Sequence, residues 1–421
     1  MVKEFLSRYN VPFETRLLTD ERHRRDAQSR GFRASPLTII GPVEMQGFEP
    51  PAMLRVLKEQ GVVAPDATPL REAAKRRGLV PQAPLTDALA VACFLDDSLS
   101  VLNLRTGGLI GEDLERSAVP LAGHPIAVET ARHAGSVAIV NYDGGSVTFL
   151  ALKDGSYVNG NLESSTVQTG TLPLYAVAHP TEPLLYVSNS ETNDVTALDA
   201  RTGAYAYGTL DQSRFAVPGQ PGVMVIHPKT RVLYVRLRDG AVTMLRADDM
   251  QPVNGSLERS KFAGGKGRGI VLSHDLETLL IPEALGDVDG FALYDAASGN
   301  PRFGTRERSV FPTSPVPFAI ASHPTKPIAY LSCFGTRTVE FRDTRTGDYL
   351  NGTVESSSFP VGSGARALIV DPTDEVLYVS CFDDGQVMML DATTGAYRFG
   401  SREASTIAVG KGPRGMALLG T

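Results

Sequence analysis

The sequence predicts a mostly β protein: a seven-bladed propeller with four-stranded blades, whose C-terminal strand closes the first blade. A small incomplete α/β module precedes it. Three observations predict the propeller. First, two glycine series recur with one step: Gly155, Gly203, Gly299, Gly347 and Gly395, then Gly160, Gly208, Gly304, Gly352 and Gly400. The step is 203−155=48, doubled where one unit lacks the glycine. A fixed period of this size marks a propeller or an array. Second, the runs inside each unit are short and rich in Val, Leu and Tyr, with Gly, Asp or Asn between them and no helical apolar period. Third, one run, expected as the third strand, occurs seven times: LSVLNL, SVTFLAL, DVTALDA, AVTMLR, GFALYDA, TVEFRDT and QVMMLDA.

The clearest unit runs from His179 to Leu210. In it LLYVSN, DVTALDA and AYAYGTL read as strands. A further run before each His or Asp turn (PLYAVA, GVMVI, GIVLS, FAIAS, RALIV) reads as the innermost strand. Four strands per unit is the composition of a propeller blade. The first unit, near Leu89, has no innermost run before it. RGMALLG at 414–420 matches RALIV at 366–370, so the C-terminal strand is expected to complete blade 1 and remove the open edge. Blade 4 departs from the pattern (YVRL at 234–237, Gln251 near the glycine position), and blade 5 has a longer loop at 282–290.

Tyr186-Val187-Ser188-Asn189, Tyr330-Leu331-Ser332-Cys333, Tyr378-Val379-Ser380-Cys381 and the Asp-x-x-x-Gly that follows carry a resemblance. Over roughly residues 87–421 the chain resembles the bacterial YVTN-type propeller repeat. The resemblance implies fold; it says little about function.

Residues 1–62 do not share the repeat. They read as the end of a helix, a strand at 11–18, a polar helix at 20–30, strands at 35–40 and 45–48, and a helix at 49–60. Val11-Pro12-Phe13-Glu14, Ser35-Pro36 and Gly47-Phe48 make this segment similar to glutaredoxin, especially the small form that donates electrons to ribonucleotide reductase. The resemblance implies a groove at Ser35, Pro36, Gly47 and Phe48, with a cis Pro36. That groove would present backbone groups to a protein disulfide or to glutathione. The family's Cys-x-x-Cys is missing, for the first cysteine is Cys93. A thiol exchanger needs an activated thiolate. Either the module is degenerate and kept for docking, or Met1 is an internal methionine just past a lost strand and Cys pair. The second expectation is preferred, because a thioredoxin sheet without its central strand leaves neighbouring strands unpaired. Residues 63–86 read as a linker with one short helix at 69–77, whose Arg71, Lys75, Arg76 and Arg77 form a solvated basic face.

The 421 residues are 42% hydrophobic and 21% charged, ample for a large core. A net charge of −6 disfavours a nucleic-acid or anionic-membrane partner. Three Cys form no disulfide framework. No apolar run reaches membrane-spanning length, and the first residues lack a signal peptide's apolar core, so the expectation is a cytoplasmic protein.

Four residue sets carry candidate chemistry. Arg268, Arg366 and Arg414, with Lys266 and Lys411, follow Gly-rich loops at the start of innermost strands. They would form a cationic funnel at the channel mouth for a carboxylate or phosphate, unless each pairs with an acid of a neighbouring blade. Cys93, Cys333 and Cys381 end the second strands of blades 1, 6 and 7 (381−333=48), each followed by Phe. They either fill a small repeat slot or offer a redox thiol to the module; their blades are too far apart for a disulfide or shared metal. Phe94, Phe334 and Phe382 are candidate exposed aromatics, with burial the stronger expectation. His179, His227, His323 and Asp371, with His274 one residue early, read as turn starters on the opposite face, and no metal site is expected. No Gly-x-Ser-x-Gly elbow, phosphate loop or zinc-protease helix occurs. Three functions are compatible: a binding propeller tied to thiol redox (preferred), a lactonase-type hydrolase acting at the channel, or a structural protein-interaction ring.

Overall fold

The computed structural model describes residues 37–40, 43–46 and 57 and, from Asp87 to Leu419, all but 105, 111–113, 115–116, 266 and 284–288. The chain divides into two compact units, Met1–Gly78 and Leu79–Thr421. In the first, Leu37–Ile40 pairs antiparallel with Val43–Gln46, Leu37 opposite Gln46. The second of these strands begins two residues before the expected 45–48. The other expectations for the module and linker, including Ser35, Pro36, Gly47 and Phe48, lie outside the described residues, as does Lys266.

The second unit is a seven-bladed propeller. Blade 7 shows the plan: Ala365–Asp371 innermost, then Val376–Cys381, Gln386–Asp391 and the short outer Thr406–Ala408, all antiparallel. In blade 1 the innermost strand is Pro413–Leu418, paired with Ala88–Cys93, so the C-terminal strand closes the ring. Pro413–Leu418 packs against the innermost strands of both blade 2 (Pro125–Ala131) and blade 7. Blade 1 also carries an extra two-residue strand, Gly108–Leu109.

AYAYGTL at 204–210 is not a strand. It is a turn with one bridge, Tyr205 to Leu198, and the outer strand is the later Arg214–Ala216. Gly203 and Gly208 take φ of 77° and 95°, which breaks the extended run. The apolar–polar alternation there has another cause: the Tyr205 hydroxyl donates to the Gln168 carbonyl of blade 2.

The first glycine series is explained by a close approach between blades. Gly347 and Gly395 have φ of 82° and 73°. A Cβ there would sit 2.4 Å from Phe311 and 2.3 Å from Phe359, rings of the preceding blade. The tyrosine of the repeat also joins blades. Tyr330 donates to the Ala392 carbonyl of blade 7 at 2.6 Å, and Tyr186 and Tyr234 do the same to Ala247 and Ala296. Apolar layers fill the gaps between sheets: Tyr330 and Phe341 of blade 6 pack with Leu377, Val379 and Leu390 of blade 7.

Candidate functional site

Antiparallel blades put two loop sets on one face: those between second and third strands, and those leading from an outer strand to the next innermost strand. The arginines and the phenylalanines meet there. Arg366 and Arg414 are each the second residue of an innermost strand. The Arg366 guanidinium carbon lies 4.4 Å from the Phe382 ring centre, 5.4 Å from Phe318 and 5.5 Å from Phe334. Arg414 lies 4.8 Å from Phe94 and 5.8 Å from Phe382. Arg268 lies 5.4 Å from Phe318. Phe318 and Phe334 stack at 4.4 Å and 10°. The arc thus alternates cations and rings from blade 5 round to blade 1.

Arg366 is half-buried, and its Nε is sealed from solvent with no hydrogen-bond partner. Among the described residues neither Arg268 nor Arg366 forms an ion pair, contrary to the pairing alternative. Burial lowers the Arg366 pKa; the Asp383 carboxylate opposes that shift, and the Arg268 charge adds to it. The guanidinium stays protonated regardless. The acids of the mouth bond to loop backbone or hydroxyl groups. Asp384 accepts from the Ser363 amide at 2.8 Å, Asp383 from the Ser363 hydroxyl at 3.0 Å, and Asp96 from the Lys411 amide at 2.5 Å. Lys411 itself is exposed.

The departure of blade 4 has a role here. Arg236 takes the repeat position of Ser188, Ser332 and Ser380 and is buried. It donates to the carbonyls of Gly265 (2.5 Å), Gly267 (3.0 Å) and Gly269 (3.3 Å), clamping the loop that carries Arg268.

Sequence reasoning missed Phe318, although its spacing betrays it: 366−318=48, so it takes the position of Arg366 and Arg414. It also missed His124, which stacks on Phe94 at 4.5 Å with Nδ1 against the Asp143 carboxylate. That pairing comes from two loops and has no local signal.

The redox-thiol reading of Cys93, Cys333 and Cys381 is corrected. None reaches a surface; all three are buried. Burial pushes Cys93 up to about 11 and Cys381 up to about 12, and raises Cys333 as well. Each fills a small slot. A Cβ on Gly410 would meet the Cys93 sulfur at 2.8 Å, and one on Gly362 the Cys381 sulfur at 2.7 Å.

The opposite face holds the turn starters. The Nδ1 atoms of His179, His227 and His323 accept from amides two and three residues on, at 2.9–3.3 Å. Asp371 accepts from Thr373 at 2.9 Å. In blade 5 the role falls to Asp275, at the repeat position, which accepts from the Glu277 amide at 3.1 Å; His274 stands aside.

No family model matches the chain, and no curated protein matches it significantly. Solved structures do resemble it. A 6-phosphogluconolactonase-like protein from Bacteroides fragilis NCTC 9343 superposes with a TM-score of 0.57 at 16% identity, over 78% of this chain and 97% of that one. One from Bacteroides uniformis ATCC 8492 gives 0.57 at 16%, over 78% and 98%. The dihydro-heme d1 dehydrogenase NirN in complex with DHE gives 0.55 at 14%, over 88% and 86%. These likenesses show the propeller fold. Among the described residues no helix is long and apolar enough to cross a membrane.

Proposed function

We propose that the propeller binds a small anionic ligand at the mouth formed by Arg268, Arg366 and Arg414. One observation carries the reading: Arg366 is half-buried among rings with its Nε sealed from solvent and unbonded, beside a second cation, with no ion-paired acid among the described residues. A partly desolvated charge whose nearest acid, Asp383, forms no ion pair with it is costly to keep, and a carboxylate or phosphate bonded to it would relieve that cost. Cation–π stacking fixes the guanidinium plane and leaves its N–H edge for bidentate bonds.

The test is calorimetric titration with citrate and with inorganic phosphate. Wild-type protein is expected to bind at least one of them, and Arg366→Gln to weaken it about tenfold or more. Equal binding by both proteins would overturn the reading.

A hydrolase reading has one supporting observation, His124 held against Asp143 beside Phe94 and Arg414. The 6-phosphogluconolactonase-like neighbours share the fold. The two readings separate by assaying hydrolysis of 6-phosphogluconolactone: turnover lost in Arg366→Ala and Arg414→Ala supports a hydrolase, and binding without turnover supports a binding propeller. The YVTN relationship and the link to thiol redox rest on sequence resemblance alone, and the buried propeller thiols add nothing to the redox link.

A further inference from the structure

We infer that the ligand is an organic dianion on a flat apolar body; this deepens the binding reading above and rests on it. The charge follows from the pair Arg268 and Arg366. Each lies 5.4 Å from the Phe318 centre, so their guanidinium carbons are at most twice that distance apart. They repel; the lowered pKa of Arg366 comes first from burial, with the Asp383 carboxylate opposing it and the Arg268 charge adding a smaller part. Neither has an ion-paired acid among the described residues. The acids close by accept from neutral donors and bond neither guanidinium, Asp383 and Asp384 accepting from Ser363 and Asp289 from the Val316 amide at 3.1 Å, while the Asp383 charge acts on Arg366 from a distance. A monoanion answers one of the two cations. Two anionic groups answer both, and Arg414 and Lys411 extend the positive field.

The body follows from the rings. Phe318, Phe334 and Phe382 are only half-buried. An inorganic anion gains nothing from apolar surface, whereas an organic body that covers it gains by removing that surface from water. The rings sit between the guanidiniums along the arc, so anionic groups on opposite sides of a flat spacer match the order cation, ring, cation.

Four probes test this by calorimetry on the full chain: terephthalate, an aromatic dianion; benzoate, an aromatic monoanion; succinate, an aliphatic dianion; and inorganic phosphate. Terephthalate is expected to bind about tenfold tighter than any of the other three. Arg268 is exposed, so Arg268→Gln keeps the fold; it should bring terephthalate down to the level of benzoate. Phe334→Leu should narrow the gap between terephthalate and succinate. Succinate or phosphate binding as tightly as terephthalate would overturn the flat body and leave the anion site standing. Benzoate matching terephthalate would overturn the dianion. Failure of every probe to bind wild-type protein would overturn the inference, and the binding reading falls with it if citrate fails as well.

Discussion

At the scale of single residues, environment decides what a side chain can do. The three cysteines illustrate this, because their periodic placement suggested chemistry and their surroundings remove it. A thiol reacts as thiolate. With pKa values pushed up to about 11 in Cys93 and about 12 in Cys381, almost no thiolate exists at pH 8. A thiol-reactive dye at that pH should therefore label none of the three in the folded protein and all three in denaturant. Rapid labelling of one thiol without denaturant would show that a slot opens. The arginines show the converse. Their type and spacing were legible in the sequence, and so was the alternative that each met an acid. For Arg268 and Arg366 only the fold could decide between them, because the choice depends on which loops converge at the mouth. The same holds for Phe94, Phe334 and Phe382: Phe94 is buried and the other two half-buried, and their value lies in facing the arginines.

At the scale of the blade, the period was legible because one backbone geometry repeats and leaves glycine at fixed points. The two glycine series differ in cause. Gly395 and Gly400 both have positive φ, 73° and 81°. Only Gly395 lies against a ring; a Cβ on Gly400 would meet nothing. Gly400→Ala is expected to cost about 1–2 kcal/mol of backbone strain. Gly395→Ala should cost at least about 2 kcal/mol more, because Phe359 must also move. Urea denaturation of the two variants checks this, and equal losses would mean that the close approach is not tight. The outer strand was misread because sequence alternation reports facing, not pairing. Tyr205 and Tyr397 alternate correctly, yet they reach a neighbouring blade's carbonyl from a turn. The three-residue outer strands are too short to leave a pattern of their own.

At the scale of the whole propeller, the ring was legible from two incomplete blades, one lacking an innermost run and one innermost run without a blade. The packed strand Pro413–Leu418 places Met416, Ala417 and the following Leu419 in buried positions. A chain shortened before residue 413 should lose roughly 4 kcal/mol or more from their burial alone, with a lower urea midpoint and new binding of an apolar dye. An unchanged midpoint would mean that the blades hold the ring without this strand. The closure also has a consequence in time. The two paired strands of blade 1 lie 413−93=320 residues apart. At a synthesis rate of roughly 5–20 residues per second, Ala88–Cys93 waits on the order of tens of seconds at the ribosome with one edge bare. Such an edge invites pairing with other chains. The growing protein therefore depends on whatever shields nascent chains in the cell, and a message broken before codon 413 yields a product that never loses that exposed edge.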